Sequence, residues 1–293
     1  MGTTEKYINP FTDFGFKKLF GTELNKDLLI DFLNQVLPEK HQIQDLTYAR
    51  TEHLGNSEAD RKAVFDLYCI GANGDRFIVE MQKAKQNYFK DRSVYYASFP
   101  IQDQAKKGDW NYQLSAVYMV GILDFVFSED ETEQLVRHEV QLKDQINRIF
   151  YDKLTFIYLE MPNFNKSVSE LETNFDRWMY VLQQLPGLEN RPAVLKDRIF
   201  QKVFETAEIA KFSPADKVKY EESLKYYRDL KNVVDTSYEE GKAEGITEGE
   251  IKGKIEGKIE GKIEIARQMK LDGESIDKII RYTGLSAQDI ENI

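Results

Sequence analysis

Val64 to Gln82 reads VFDLYCIGANGDRFIVEMQ: an apolar run holding one acid, Asp66, then a cluster of turn residues, then a second apolar run holding one acid, Glu80. The first run spans Ala63 to Ile70, the turn residues Gly71 to Asp75, and the second run Phe77 to Met81. Short runs rich in Phe, Val, Ile and Tyr on either side of such a turn predict a β-hairpin, here with one carboxylate on each strand. An acid inside an apolar strand must be paired, metal-bound or exposed at an edge, and two on adjacent strands ask for a common explanation. If the hairpin brings both carboxylates to one side of the sheet, a divalent cation relieves their repulsion. An all-oxygen ligand set selects a hard ion, so Mg2+ is the expected cofactor, with Mn2+ as its substitute.

Towards the N-terminus, Leu28, Leu29, Phe32, Leu33, Val36 and Leu37 recur at intervals of three and four, which predicts an amphipathic helix over Leu24 to Leu37, ended by Pro38. A short aromatic segment, Phe11 to Phe20, precedes it. Beyond the hairpin, Tyr88 to Lys106 reads as a helix that Pro100 must kink or end. Leu114 to Phe127 and Leu154 to Leu159 read as buried strands, with Leu135 to Leu142 a partly polar strand between them. The expected fold is α/β, a central mixed sheet flanked by helices. After Pro162 the pattern turns helical, with Trp178, Met179, Val181, Leu182 and Leu185 on one element and Ile199, Val203 and Phe204 on another.

From Gly241 to Gly261 glycine recurs at every fourth residue, with Ile251, Ile255, Ile259 and Ile263 in register and Glu and Lys between. In a helix these form two drifting stripes that let backbones approach closely, although each glycine costs about 1 kcal/mol relative to alanine. A solvated linker and a self-association helix both remain open for 239–263. Residues 264–293 read as a small helical module. Gly273 and Gly284 stand where helices stop, and Ser286 with Asp289 forms a capping-box pattern. That layout suits a helix-turn-helix, yet its last helix carries Gln288, Asp289, Glu291 and Asn292 and no Lys or Arg, which favours packing over DNA reading.

The formal charge of -10 argues against a broad electrostatic grip on nucleic acid, so any DNA site must be local or lean on metal ions. A single cysteine, Cys69, excludes an internal disulfide and a thiolate zinc cluster and fits a reducing compartment. With no signal-peptide pattern and no run of about 20 apolar residues, a cytoplasmic location without membrane association is expected. His41, His53 and His138 are too scattered for a local zinc motif, and no phosphate-binding GxxxxGK[ST] loop occurs.

Taken together, five stretches resemble the Rpn recombination-promoting nucleases, the PD-(D/E)xK nuclease family of transposases. They are NPFTDFGFKKLFG (Asn9 to Gly21), the hairpin, DRSVYYAS (Asp91 to Ser98), SAVYMVGILDF (Ser115 to Phe125) and the glycine-glutamate tail. The resemblance implies a restriction-endonuclease-like core over 1–162, then a helical cover over 163–238, and a cytoplasmic DNA endonuclease of low sequence preference linked to recombination. It implies that Asp66 and Glu80 are catalytic and bind Mg2+. The family pattern closes with Lys two residues after Glu; here that place is Gln82, which can orient a water but supplies no positive charge. Lys83 falls on the opposite strand face from Gln82, and Lys85, past the strand end, is assigned at most a phosphate contact. Asp13 is either a third metal carboxylate or a helix N-cap. Arg92, Tyr95 and Tyr96 either face the phosphate backbone or pack as core and rim. DNA is the expected partner, and a homodimer, through the C-terminal repeat, suits double-strand cleavage. The competing function is a non-catalytic binding or assembly protein that keeps the nuclease-like fold.

Overall fold

The computed structural model describes residues 5–53, 63–105, 110–127 and 134–293. The chain divides into two compact units, Met1–Lys231 and Asn232–Ile293. In chain order the first unit opens with α1 (Asp13–Phe20), α2 (Lys26–Val36), β1 (Leu46–Tyr48), β2 (Glu52–His53), β3 (Ala63–Val64), β4 (Leu67–Gly71) and β5 (Arg76–Gln82). It continues with α3 (Phe89–Gln102), β6 (Val117–Leu123), β7 (Arg137–Lys143), β8 (Ile149–Glu160), α4 (Asn174–Gln184) and α5 (Arg198–Ala207). Then α6 (Pro214–Leu271) begins in the first unit and ends in the second, which also holds α7 (Ile276–Thr283) and α8 (Ala287–Glu291). The boundaries expected at 238 and 263 both fall inside α6.

Six strands form a mixed sheet in the order β1-β4-β5-β6-β8-β7, in which β5, β6 and β8 run parallel and the others antiparallel. Alternation along the strands feeds two cores. Val79, Met81, Tyr118, Val120, Ile122, Ile157 and Leu159 face one way and pack with Phe16, Leu19, Phe20, Phe32, Trp178 and Phe200 from the helices α1, α2, α4 and α5. Ile78, Val117, Met119, Phe156 and Tyr158 face the other way, against Phe89 and Ala97 of α3. The expected mixed sheet flanked by helices is therefore the one observed.

Three local expectations are corrected. The run Ala63 to Ile70 is not one strand: β3 pairs with β2 in a separate two-stranded sheet, and β4 starts only at Leu67, so Phe65 and Asp66 lie in the break. The helix expected from Tyr88 starts at Phe89, because Tyr88 is held at φ 63, and ends at Gln102 with Pro100 inside its final turn; the predicted end at Lys106 lies outside the described residues. Asp13 does not cap α1. Thr12 does, its hydroxyl accepting from the Gly15 amide at 2.9 Å.

The second unit has its own small core of Ala266, Ile279 and Ile290. Gly273 and Gly284 take positive φ where α6 and α7 end, and Ser286 and Asp289 complete the capping box of α8.

Candidate active site on the hairpin

The break before β4 has a chemical cause. Leu67 opposes Val79, so Asp66 falls against Glu80, but their side chains replace the ladder bonds there. The Asp66 amide donates to Glu80 Oε1 at 3.0 Å, and the Met81 amide donates to Asp66 Oδ2 at 2.8 Å. Each carboxylate thus reaches across the hairpin to the other strand's backbone. Bonding of this kind orients an anionic side chain and satisfies an amide that the interrupted ladder would leave unpaired.

Glu80 is 3% exposed and projects to the α3 face, where its neighbours across the parallel strands are Gly121 of β6 and, one strand further, Tyr158 of β8. A Cβ at Gly121 would stand 3.0 Å from the Tyr158 ring, so glycine there lets the two elements close up beside the acid. On this side Glu80 Oε2 accepts from Gln82 Nε2 at 3.3 Å and from an Arg92 terminal nitrogen at 3.3 Å. Arg92 also donates to Gln86 Oε1 at 2.6 Å and lies over the rings of Tyr96 and Phe89, at 5.1 and 5.9 Å. Its buried Nε has no hydrogen-bond partner.

Asp66 has a different electrostatic surround. Burial raises its pKa above the usual aspartate range, against the Met81 amide; Asp13 adds to the rise, and Lys17 and Lys83 oppose it. Burial likewise pushes Glu80 up, with Asp66 adding and the Asp66 amide and Arg92 opposing. Lys83 itself is lowered by burial, against the pull of Asp13 and Asp66, and its ammonium sits 5.3 Å over the Tyr226 ring of α6. The acids thus stand between two cationic groups, Arg92 on the Glu80 side and Lys83 with Lys17 on the Asp66 side. The place is the carboxyl end of β5, where open α/β sheets gather their ligands.

The structure brings together Asp66, Glu80, Gln82 and Arg92. Asp13 stays apart, 56% exposed and ion-paired with Lys17 at 2.9 Å, although its charge is felt at Asp66. Lys85 lies in the loop between β5 and α3, beside Tyr88, Phe89 and Phe125. Tyr95 is exposed on α3 and meets Phe99 edge-on. Among the described residues no three His, Cys, Asp or Glu side chains gather as a metal cage. The donor set still suits a hard ion: two adjacent, desolvated carboxylates carry repulsion that a cation relieves, and Mg2+ ordinarily takes one or two carboxylates and fills its remaining positions with water and phosphate. Lys83 is the site residue that strand alternation missed. The signal available was its charge, one position past the expected ExK place, in a site whose usual lysine is absent.

The profile that describes the PD-(D/E)XK nuclease family transposases matches residues 10–237. The chain belongs to that family. As a PD-(D/E)XK family member, the chain carries its Asp66 and Glu80 on the hairpin, within the matched span. No curated protein and no solved structure matches this family member. No helix among the described residues is long and apolar enough to cross a membrane.

Proposed function

We propose that the chain is a Mg2+-dependent DNA endonuclease, hydrolysing phosphodiesters with little sequence preference and linked to recombination or mobile elements. The observation that carries this reading is the crossed bonding of Asp66 and Glu80, which holds a half-buried and a buried carboxylate side by side at the end of a β-hairpin. When bound there, Mg2+ or Mn2+ would supply Lewis acidity to a phosphate oxygen and lower the pKa of a ligated water. The chain's own residues do the rest. Asp66 and Glu80 hold the ion, and Gln82, already on Glu80, orients the attacking water through its amide. Arg92 fixes the Glu80 carboxylate through its ion pair. Lys83 supplies on the Asp66 side the positive charge that Gln82 lacks. Lys85 and Tyr95, both exposed, are the candidates for DNA contact. A cytoplasmic location and a homodimer belong to the same reading.

One observation favours a second reading, a binding or assembly protein with a nuclease fold: Glu80 Oε2 is already engaged by Gln82 and Arg92. Nicking of supercoiled plasmid with Mg2+, Mn2+ or EDTA, by wild type, Asp66→Ala and Glu80→Ala, separates the two. The nuclease reading expects metal-dependent cutting lost in both variants. Folded wild type that neither binds metal nor cuts would favour the binding protein.

A further inference from the structure

β7 borders the six-stranded sheet, hydrogen-bonded to β8 on one side and, among the described residues, paired with no strand on the other. An open edge presents a row of unpaired amides and carbonyls, which proteins usually blunt with a bulge, a proline or a cover. The irregularity here is on the inner neighbour. Gln141 opposes Thr155 and Leu142 opposes Tyr151, so the extra residues belong to β8 and β7 keeps its regular course. Val140 and Leu142, two apart and therefore on one face, are each 48% exposed.

We propose that β7 pairs antiparallel with β7 of a second copy, with Gln141 on the two-fold axis, so that the two sheets become one. A two-fold axis perpendicular to the sheet keeps each face on its own side, so it must pass through a residue rather than between residues. With Val140 on the axis, Arg137 meets Lys143 of the second copy and His138 meets Leu142, opposing like charges and setting polar against apolar. With Leu142 on the axis, Val140 meets Asp144. With Gln141 on the axis, Glu139 meets Lys143 and Val140 meets Leu142, each pair occurring twice by symmetry. Of the registers centred within Val140–Leu142, that one alone matches charge to charge on one face and apolar to apolar on the other; centring on His138 would pair Arg137 with Glu139 but takes its apolar pair from Val136, outside β7. Such cross-strand pairs stabilise a sheet. The contact is isologous, with the same residues contributed by both copies. It is independent of the nuclease reading and does not involve the C-terminal repeat.

The test is the oligomeric state of the full chain by sedimentation velocity across a concentration series, with Glu139→Lys, Lys143→Glu and the double reversal. Both positions are exposed, so the fold should persist, which circular dichroism checks. Wild type should dimerise, and each single reversal, setting like charges opposite each other twice, should weaken association by about tenfold or more. The double reversal should restore it. A monomeric wild type, a dimer indifferent to the single reversals, or a double reversal as weak as the singles would each overturn the proposal. A dimer held by the C-terminal repeat or by strand addition elsewhere would give the second of these results.

Discussion

Glu80 is an acid whose folded environment opposes its own charge. Burial and the neighbouring Asp66 push its pKa up to about 8 from 4.5, so between those values the unfolded chain ionises first and folding stability falls as pH rises. Below the window both states are protonated and the residue contributes nothing. Glu80→Gln, which keeps the acceptor for the Asp66 amide, should therefore stabilise the metal-free protein at pH 8 by about 2 kcal/mol and leave it nearly unchanged at pH 4.5. Urea unfolding in EDTA at the two pH values measures this, and an equal effect at both would contradict it. Mg2+ should reverse the trend, raising the wild-type melting temperature more at pH 8 than at pH 6, because binding to the pair must displace protons. At Lys83, removal of the charge by Lys83→Met should lower cutting by about 100-fold while Lys83→Arg retains most of it. A variant that loses melting temperature in step with activity would instead mark Lys83 as structural.

The opening motif NPFTDFG shows how an element imposes its residues. Asn9 Oδ1 accepts from the Phe11 amide, the Asn9 carbonyl accepts from Thr12, and Thr12 caps α1 through the Gly15 amide. A Cβ at Gly15 would fall 2.1 Å from the Asn9 carbonyl oxygen, a backbone atom that cannot swing away. Gly15→Ala should therefore cost about 3 kcal/mol in a denaturant titration, against the few tenths expected of an ordinary surface helix position. Elements whose apolar residues bury against a broad core were legible from the apolar pattern, α2 by its three-and-four spacing and β5, β6 and β8 by their apolar runs. The break at Asp66 was not, because the apolar run Ala63 to Ile70 contains no breaker. What interrupts it is a pair of side-chain bonds to the other strand, invisible until the register is known. Arg92 was ambiguous for a related reason: which way a helical residue points depends on where the helix starts, and α3 starts from a left-handed Tyr88 that no residue pattern announces. Thr12 and Asp13 are both capping residue types, with Asp the somewhat stronger, so only the position at which α1 starts decides between them.

Across the whole molecule the charge balance limits how DNA is held. With 40 basic against 50 acidic residues, few phosphates are neutralised by side chains, so DNA affinity measured in EDTA should fall only shallowly with salt, with a log–log slope of about -2 to -3. A slope near -10 would reveal a basic surface that this composition does not suggest. The acidic count and the lone cysteine were readable at once, whereas the exposed edge of β7 needed the strand order. Long-range stapling belongs to this scale too. The Asn9 amide donates to the Tyr220 hydroxyl at 2.9 Å and the Phe14 amide to Ser223 Oγ at 3.1 Å, so α1 and its motif are pinned by the start of α6. Tyr226, over which the Lys83 ammonium sits, comes from the same helix. Translation at about 5–20 residues per second separates the two ends of this staple by roughly 10–40 s. A nascent chain already carrying Asp66 and Glu80 therefore waits for its last third before the Asp66 side of the site is braced, and the ribosome's own timing keeps the growing polypeptide from maturing early.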